Sequence, residues 1–242
     1  MLETSALVMQ RQRRLEHELL RANERLEALV RDKVALLQEV HHRVKNNLQI
    51  VSSMMNLQSR NVSPAAAQAL AECQGRLRAM ALVHQLLYES SSMAEVDLSD
   101  YIGRLVVLMK GTYEGPGSGI GLSFSGAGEK VTLDIHRTIP CALIINELIS
   151  NALKHAFKET GHGRIDVRMR LDAAGRLHLS VSDNGCGLPP DFSWDSGAGL
   201  GTQLVPMFVD QLNGVLHTES SPAGSSFTVE LDPVKKEETD DQ

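Results

Sequence analysis

Glu39-Val40-His41-His42-Arg43-Val44-Lys45-Asn46-Asn47-Leu48-Gln49 reads as one helical run with a histidine on a wholly polar face. On a helical wheel His42 groups with Gln38, Glu39, Lys45, Asn46 and Gln49, whereas His41 rotates towards Leu48 and the edge of an apolar seam. Histidine changes charge near neutrality, so an exposed imidazole is largely neutral at cytosolic pH and can act as a nucleophile. Most surface histidines do nothing of the kind. The weight of this one therefore rests on the rest of the chain.

Upstream, apolar residues fall at Leu15, Leu19, Ala22, Leu26, Leu29, Leu36 and Val40 in steps of three and four, interrupted at Lys33. That is a heptad seam, and it predicts a parallel two-stranded coiled coil over residues 1–36; the alternative is one amphipathic helix packed on its own domain. Through Val40, Val44, Leu48, Val51 and Met55 two steps of four follow each other, a stutter that unwinds a coiled coil beside His42. Ser63-Pro64 ends the run. Pro64 suits the first turn of a second helix to about Tyr88, with Leu70, Cys73, Leu77, Met80, His84 and Leu87 as its inner stripe. A hairpin of two such helices over residues 37–94 exposes much apolar surface alone, so pairing of two copies into a four-helix-bundle homodimer is expected. Glu89-Ser90-Ser91-Ser92 reads as a linker.

Beyond Glu95 the texture changes. A helix from about Ser99 to Tyr113 precedes short strands near Ile120–Ser125 and Val131–Ile135, and a long helix runs from about Ile139 to Phe157. Strands near Ile165–Leu171 and Leu177–Asp183, a loop, a helix from Leu200 to Leu212 and two last strands ending near Leu231 complete the order. The fold class is α+β: a coiled coil and helical hairpin, followed over residues 95–234 by a two-layer α/β sandwich with a mostly antiparallel sheet. Residues 235–242 read as a solvated, disordered tail.

A formal charge of -6 on 242 residues gives no general electrostatic reason to bind nucleic acid or an anionic membrane. Cys73, Cys141 and Cys186 are far apart and lack metal spacing, which points to reducing cytosol and a cytoplasmic protein. No stretch approaches the roughly 20 apolar residues that span a bilayer.

On the long helix, Glu147, Asn151 and Lys154 share one stripe, with His155 beside it. An amide oxygen and an ammonium so placed can hold a magnesium ion and triphosphate oxygens. Asp183-Asn184-Gly185-Cys186-Gly187-Leu188-Pro189 then ends an apolar strand, and Gly197-Ala198-Gly199-Leu200-Gly201 opens a helix. Glycines allow close backbone approach, and a helix N-terminus favours phosphate.

This ordered set resembles the Bergerat-type ATP-binding domain shared by histidine kinases, gyrase and the heat-shock chaperone family, with an N box from Asn146 to His155 and glycine boxes at Asp183–Gly187 and Gly199–Gly201. The resemblance implies that Asp183 accepts the adenine amino proton, that Asn151 ligands Mg2+, that Lys154 and His155 approach phosphates, and that Ser225 lies near the adenine end. It places Asn146, Gly185, Gly187, Gly199, Leu200 and Gly201 in the ATP site and Leu188–Ala198 in a short lid.

Glu39 to Asn47 resembles the phosphoacceptor motif of sensor histidine kinases of the class related to the HWE family. Leu82-Val83-His84-Gln85-Leu86-Leu87-Tyr88 is similar to that class's second bundle helix, and Gly199 to Val205 to its second glycine box. The likeness covers about Leu37 to Leu231. The Trp-x-Glu element of the HWE family proper is absent, because Trp194 is followed by Asp195 and Ser196; a sister class fits better. The resemblance implies autophosphorylation of His42 from Mg-ATP and transfer to an aspartate of a response regulator receiver domain. Arg43 follows the histidine where many such kinases carry an acid, which leaves Glu39, one turn earlier on the same face, to orient or deprotonate the imidazole. Arg43 and Lys45 either attract ATP and the regulator or are solvated helix charges. Two rivals remain: a gyrase- or chaperone-like ATPase with Glu147 activating water, and a non-catalytic dimeric scaffold.

Overall fold

Ser63 and Pro64 divide the helical part of the chain. The computed structural model describes residues 2–90, 95–113, 119–128, 130–196 and 199–232; the tail, Ser91 and Ser92 of the expected linker, and Gly197 and Ala198 of the lid lie outside them. Helix α1 (Leu2–Gln58) is unbroken over 57 residues, about 85 Å at 1.5 Å per residue, so the segment expected as a coiled coil and the one expected as the first hairpin helix form one continuous rod. A short 3-10 turn at Ser59–Asn61 ends it. Helix α2 (Pro64–Glu89) starts where Ser63 Oγ accepts the amide of Ala66 at 3.4 Å, with Pro64 in the first turn.

Strand β1 (Glu95–Asp97) leads into α3 (Leu98–Tyr113), then β2 (Gly119–Ser125) and β3 (Thr132–Asp134). Helix α4 (Ile135–His155) begins four residues earlier than the sequence reading placed it. The reason is Asp134, whose Oδ1 accepts the amides of His136 at 2.7 Å and Arg137 at 3.1 Å; Pro140 lies inside the helix so started. Strands β4 (His162–Leu171) and β5 (Leu177–Asp183), helix α5 (Leu200–Gln211) and strands β6 (Val215–Ser221) and β7 (Gly224–Leu231) follow. The five-stranded sheet runs β2-β4-β5-β7-β6 and is antiparallel apart from the β2–β4 pair. The stretch expected as a strand near Val131 is not in that sheet: β3 pairs with β1 in a separate two-stranded ribbon.

One face of the sheet is covered by the helices. Ser225, Phe227, Val229 and Leu231 of β7 alternate inward with Leu177, Leu179 and Val181 of β5, under Ile144, Leu148 and Ile149 of α4 and Val205 and Val209 of α5. The architecture is thus a helical N-terminal region joined to a mixed-sheet α/β sandwich.

The hairpin is not free-standing. The stripe read from the sequence as the inner face of α2 is largely half-buried, and its His84 meets α1. A second face carrying Arg76, Ala79, Val83 and Leu86 is more deeply buried and joins the core shared with α3 and α4. Tyr101 of α3 is fully buried and donates its hydroxyl to the Ala79 carbonyl at 3.3 Å. The heptad seam of α1 lies open by contrast, with Leu19 at 72% and Leu29 at 66% exposure. Among the described residues no helix is long and apolar enough to cross a membrane.

Candidate functional site

His42 is exposed on α1 and His41 is half-buried, the division that the helical wheel predicts. The His42 ring faces Tyr88 of α2 across 6.0 Å between centroids, and Asn46 Nδ2 lies 3.5 Å from its Nδ1. Glu39 turns elsewhere. Its Oε1 accepts from Arg43 Nε at 2.6 Å, so in this arrangement it neutralises Arg43 rather than contacting the imidazole.

His41 Nδ1 lies 3.1 Å from His84 Nδ1, a contact between two neutral rings in which one donates and the other accepts. Burial pushes both pKa values down, and for His84 the neighbouring His41 adds to it. A depressed histidine pKa means that the unfolded chain binds more protons between the two values, so this contribution is complete above about 6.5 and is lost as pH falls through the folded-state pKa. Acidification from about pH 7.5 to about pH 5.5 is therefore expected to lower the melting temperature more in the unmodified chain than in His84→Asn. Equal pH slopes in calorimetry would refute it.

The N-box residues lie on α4, beneath the first turn of α5. A Cβ added to Gly201 would stand 2.9 Å from Glu147 Oε2 and 3.4–3.5 Å from the Asn151 amide, which shows how closely the second glycine box approaches Glu147 and Asn151. Gly199 opens α5 in extended backbone, and its amide donates to Thr202 Oγ1 at 3.2 Å. Leu200 beside it is exposed. A helix start above an acid and an amide is a surface suited to a phosphate with its counter-ion.

Asp183 ends β5. Its Oδ1 accepts the amide of Gly185 at 2.9 Å and that of Ser225 at 3.4 Å, which brings the first glycine box and the buried Ser225 of β7 to one point. Gly185 passes so close to α4 that a Cβ would meet the Ala156 carbonyl oxygen at 2.3 Å. Gly224 has φ of +133° and faces the Asp183 carbonyl, where a Cβ would stand at 2.0 Å. Gly224→Ala is expected to cost roughly 2–4 kcal/mol and to loosen Asp183; a denaturant midpoint unchanged from that of the unmodified chain would disprove it. Gly187 sits beside Ser221 of β6, and the lid amide of Leu188 donates to Ser220 Oγ at 2.7 Å. Trp194 Nε1 donates to Thr218 at 3.1 Å while its ring meets Phe227 edge-on at 5.7 Å, so this part of the lid lies on β6 and β7.

Two residues that the sequence reading missed dominate the electrostatics. Arg76 of α2 grips Glu147 with Nε on Oε1 and Nη2 on Oε2, both at 2.8 Å and both side chains buried. Glu72 of α2 meets Lys154 at 2.8 Å. Asn146 is buried next to Gly75 of α2, with its amide 3.3 Å from Glu147. Burial, then Lys158 and Lys154, push the His155 pKa down, against an opposing pull from Glu72. Nothing in spacing marks Arg76 or Glu72, which read as helix surface charges until α2 is placed against α4. Tyr88, beside His42, and Arg76 are twelve residues apart on α2, about 18 Å along its axis. His42 and Glu147 are therefore held at separate stations on the same helix.

Residues 39–113 match the family HisKA_2, described as histidine kinase, and residues 136–235 match the family of histidine kinase-, DNA gyrase B- and HSP90-like ATPases. The chain carries the two domains of a histidine kinase. The sensor histidine kinase PdtaS of Mycolicibacterium smegmatis is 34% identical over 207 residues, covering 84% of this chain and 40% of that protein. Blue-light-activated histidine kinase 2 of Erythrobacter litoralis is 26% identical, covering 84% of this chain and 58% of that protein. Among solved structures, the histidine kinase domain of the Erythrobacter litoralis EL346 blue-light activated kinase aligns with a TM-score of 0.61 and 27% identity, over 81% of this chain and 92% of that one. The chain spans about two fifths of the length of the PdtaS kinases and somewhat over half of the blue-light kinase. Its two matched regions and these relatives are of the histidine kinase type.

Proposed function

We propose that the chain is the kinase portion of a two-component sensor histidine kinase of the class related to the HWE family, phosphorylating its own His42 from Mg-ATP. The observation that carries this reading is the pairing of an exposed imidazole on a polar helix face with a separate ATPase-type module in one polypeptide. A ring nitrogen of His42 attacks the γ-phosphorus, the bond to the β–γ bridging oxygen breaks, ADP departs with that electron pair, and the imidazole sheds its proton. An aspartate oxygen of a receiver domain then attacks the same phosphorus, the P–N bond breaks, and the imidazole regains a proton. The receiver, a homodimeric bundle and a cytoplasmic setting belong to this proposal.

The residues present fit magnesium as a phosphate-bound, partly hydrated ion. Among the described residues no group of three or more His, Cys, Asp or Glu side chains forms a metal cage, and Asn151 offers one neutral oxygen in contact range of the α5 glycine turn. Such an ion neutralises charge that develops on the transferred phosphoryl group. Asp183 and Ser225 would hold the adenine end; Lys154, His155 and the first turn of α5 would hold the phosphates.

Incubation with γ-labelled ATP tests the proposal. Label on the protein that survives base, is lost in acid and needs His42 supports it. Release of free phosphate with no protein label supports the ATPase reading, whose candidate base, Glu147, has both oxygens engaged by Arg76.

A further inference from the structure

Helix α2 reaches α4 through two charge pairs, and both fall on residues that the nucleotide site needs. Arg76 closes on Glu147, and Glu72 closes on Lys154, whose side chain is 19% exposed against 27% for Glu72. Between them Gly75 lies against Asn146. Burial raises the Glu72 pKa, but the bond and charge of Lys154, with help from Gln68 and Arg76, outweigh it and hold the acid ionised below its ordinary range. The charge of Glu72 also acts on His155, the other cation proposed to face phosphate.

We propose that α2 is a built-in competitor for the nucleotide: the Glu72 carboxylate occupies the cationic end of the site in place of a phosphate, and Arg76 holds Glu147, so that Mg-ATP must displace this edge of α2. The competition rests on the ATP site proposed above, but not on phosphoryl transfer to His42. An ammonium already bonded to a carboxylate in a partly shielded site cannot serve a phosphate oxygen at full strength until that anion leaves. The N-terminal half of α2, from Pro64 to Gly75, has no fully buried residue, so it can part from α4 while Ala79, Val83 and Leu86 stay in the core. With both pairs closed, Glu147 is bonded at Arg76 while His42 faces Tyr88, two positions about 18 Å apart along α2, as a resting state requires.

The test is the affinity of the full chain for Mg-AMP-PNP by calorimetry at fixed ionic strength. Glu72→Gln, which keeps the size of the side chain and removes its charge, is expected to bind about fivefold to tenfold more tightly. Glu89→Gln removes a carboxylate from the same helix that is bonded instead to Gln85 and Arg104, and it should leave affinity unchanged. In the unmodified chain, saturation with Mg-AMP-PNP should speed amide exchange over residues 70–78. Unchanged or weaker binding by Glu72→Gln, an equal gain from Glu89→Gln, or unchanged or slower exchange in α2 overturns the proposal. Absence of binding by both the unmodified and Glu72→Gln chains overturns it together with the ATP site. None of these readouts involves phosphoryl transfer. Tighter binding without label on His42 would therefore remove the kinase reading and keep the competition, and label on His42 without tighter binding would do the reverse.

Discussion

His42→Ala abolishes the acid-labile label from γ-labelled ATP, an expected fall of at least about a thousandfold, equivalent to about 4 kcal/mol. The size follows from chemistry rather than packing. His42 is exposed, and its described contacts are Tyr88 at 6.0 Å and a long approach from Asn46, so little folding energy depends on it. His41→Gln is the informative partner. His41 is half-buried and bonded to His84, so its loss should lower stability while leaving most of the label in place. Retention of label in His42→Ala with loss in His41→Gln would transfer the nucleophile to the neighbouring histidine. Equal melting curves for His42→Ala and the unmodified chain show that the loss is chemical.

Asp183→Asn is expected to weaken Mg-AMP-PNP binding by about a hundredfold or more while the chain still folds. The two effects separate because the two carboxylate oxygens have different tasks. Oδ1 accepts the amides of Gly185 and Ser225, and an asparagine oxygen can take over both bonds. The other oxygen becomes an NH2 group, which would face the adenine amino group donor to donor and leave a polar pair unmet. Calorimetric titration gives the affinity, and thermal unfolding shows that the turn survives. Wild-type affinity in Asp183→Asn would remove Asp183 from base recognition and with it the proposed direction of ATP in the pocket.

Much of this architecture was legible because it is written in local periodicity. The three-four spacing from Leu15 to Val40 and the alternation through Leu177–Asp183 emerge as helix and strand over the residues expected, and the last helix opens at Leu200, between Gly199 and Gly201, as expected. Helix α4 begins before Ile139 because the Asp134 carboxylate caps it at Ile135, and an aspartate ahead of an apolar run is not by itself distinguishable from a loop acid. A strand near Val131–Ile135 is legible, but its pairing is not, because its partner β1 is three residues long, too short for alternation to register. The glycine loops and the N box could be found in order, whereas the closeness of Gly201 to Glu147 or of Gly224 to Asp183 depends on contacts between segments far apart in the chain.

Residue order alone settles which histidine faces solvent, because a helix turns through a constant angle per residue and the polar neighbours of His42 follow from counting. It also settles where backbone can come close to a ligand, because glycine alone lacks the Cβ that would stand in the way. It cannot settle how Arg76 and Glu72 are used, since a charged residue on an amphipathic helix has the same local signature whether it meets water or a carboxylate. Packing α2 into the core beside α4 turns those two surface charges into partners of Glu147 and Lys154, and that choice belongs to apolar burial summed over the whole chain.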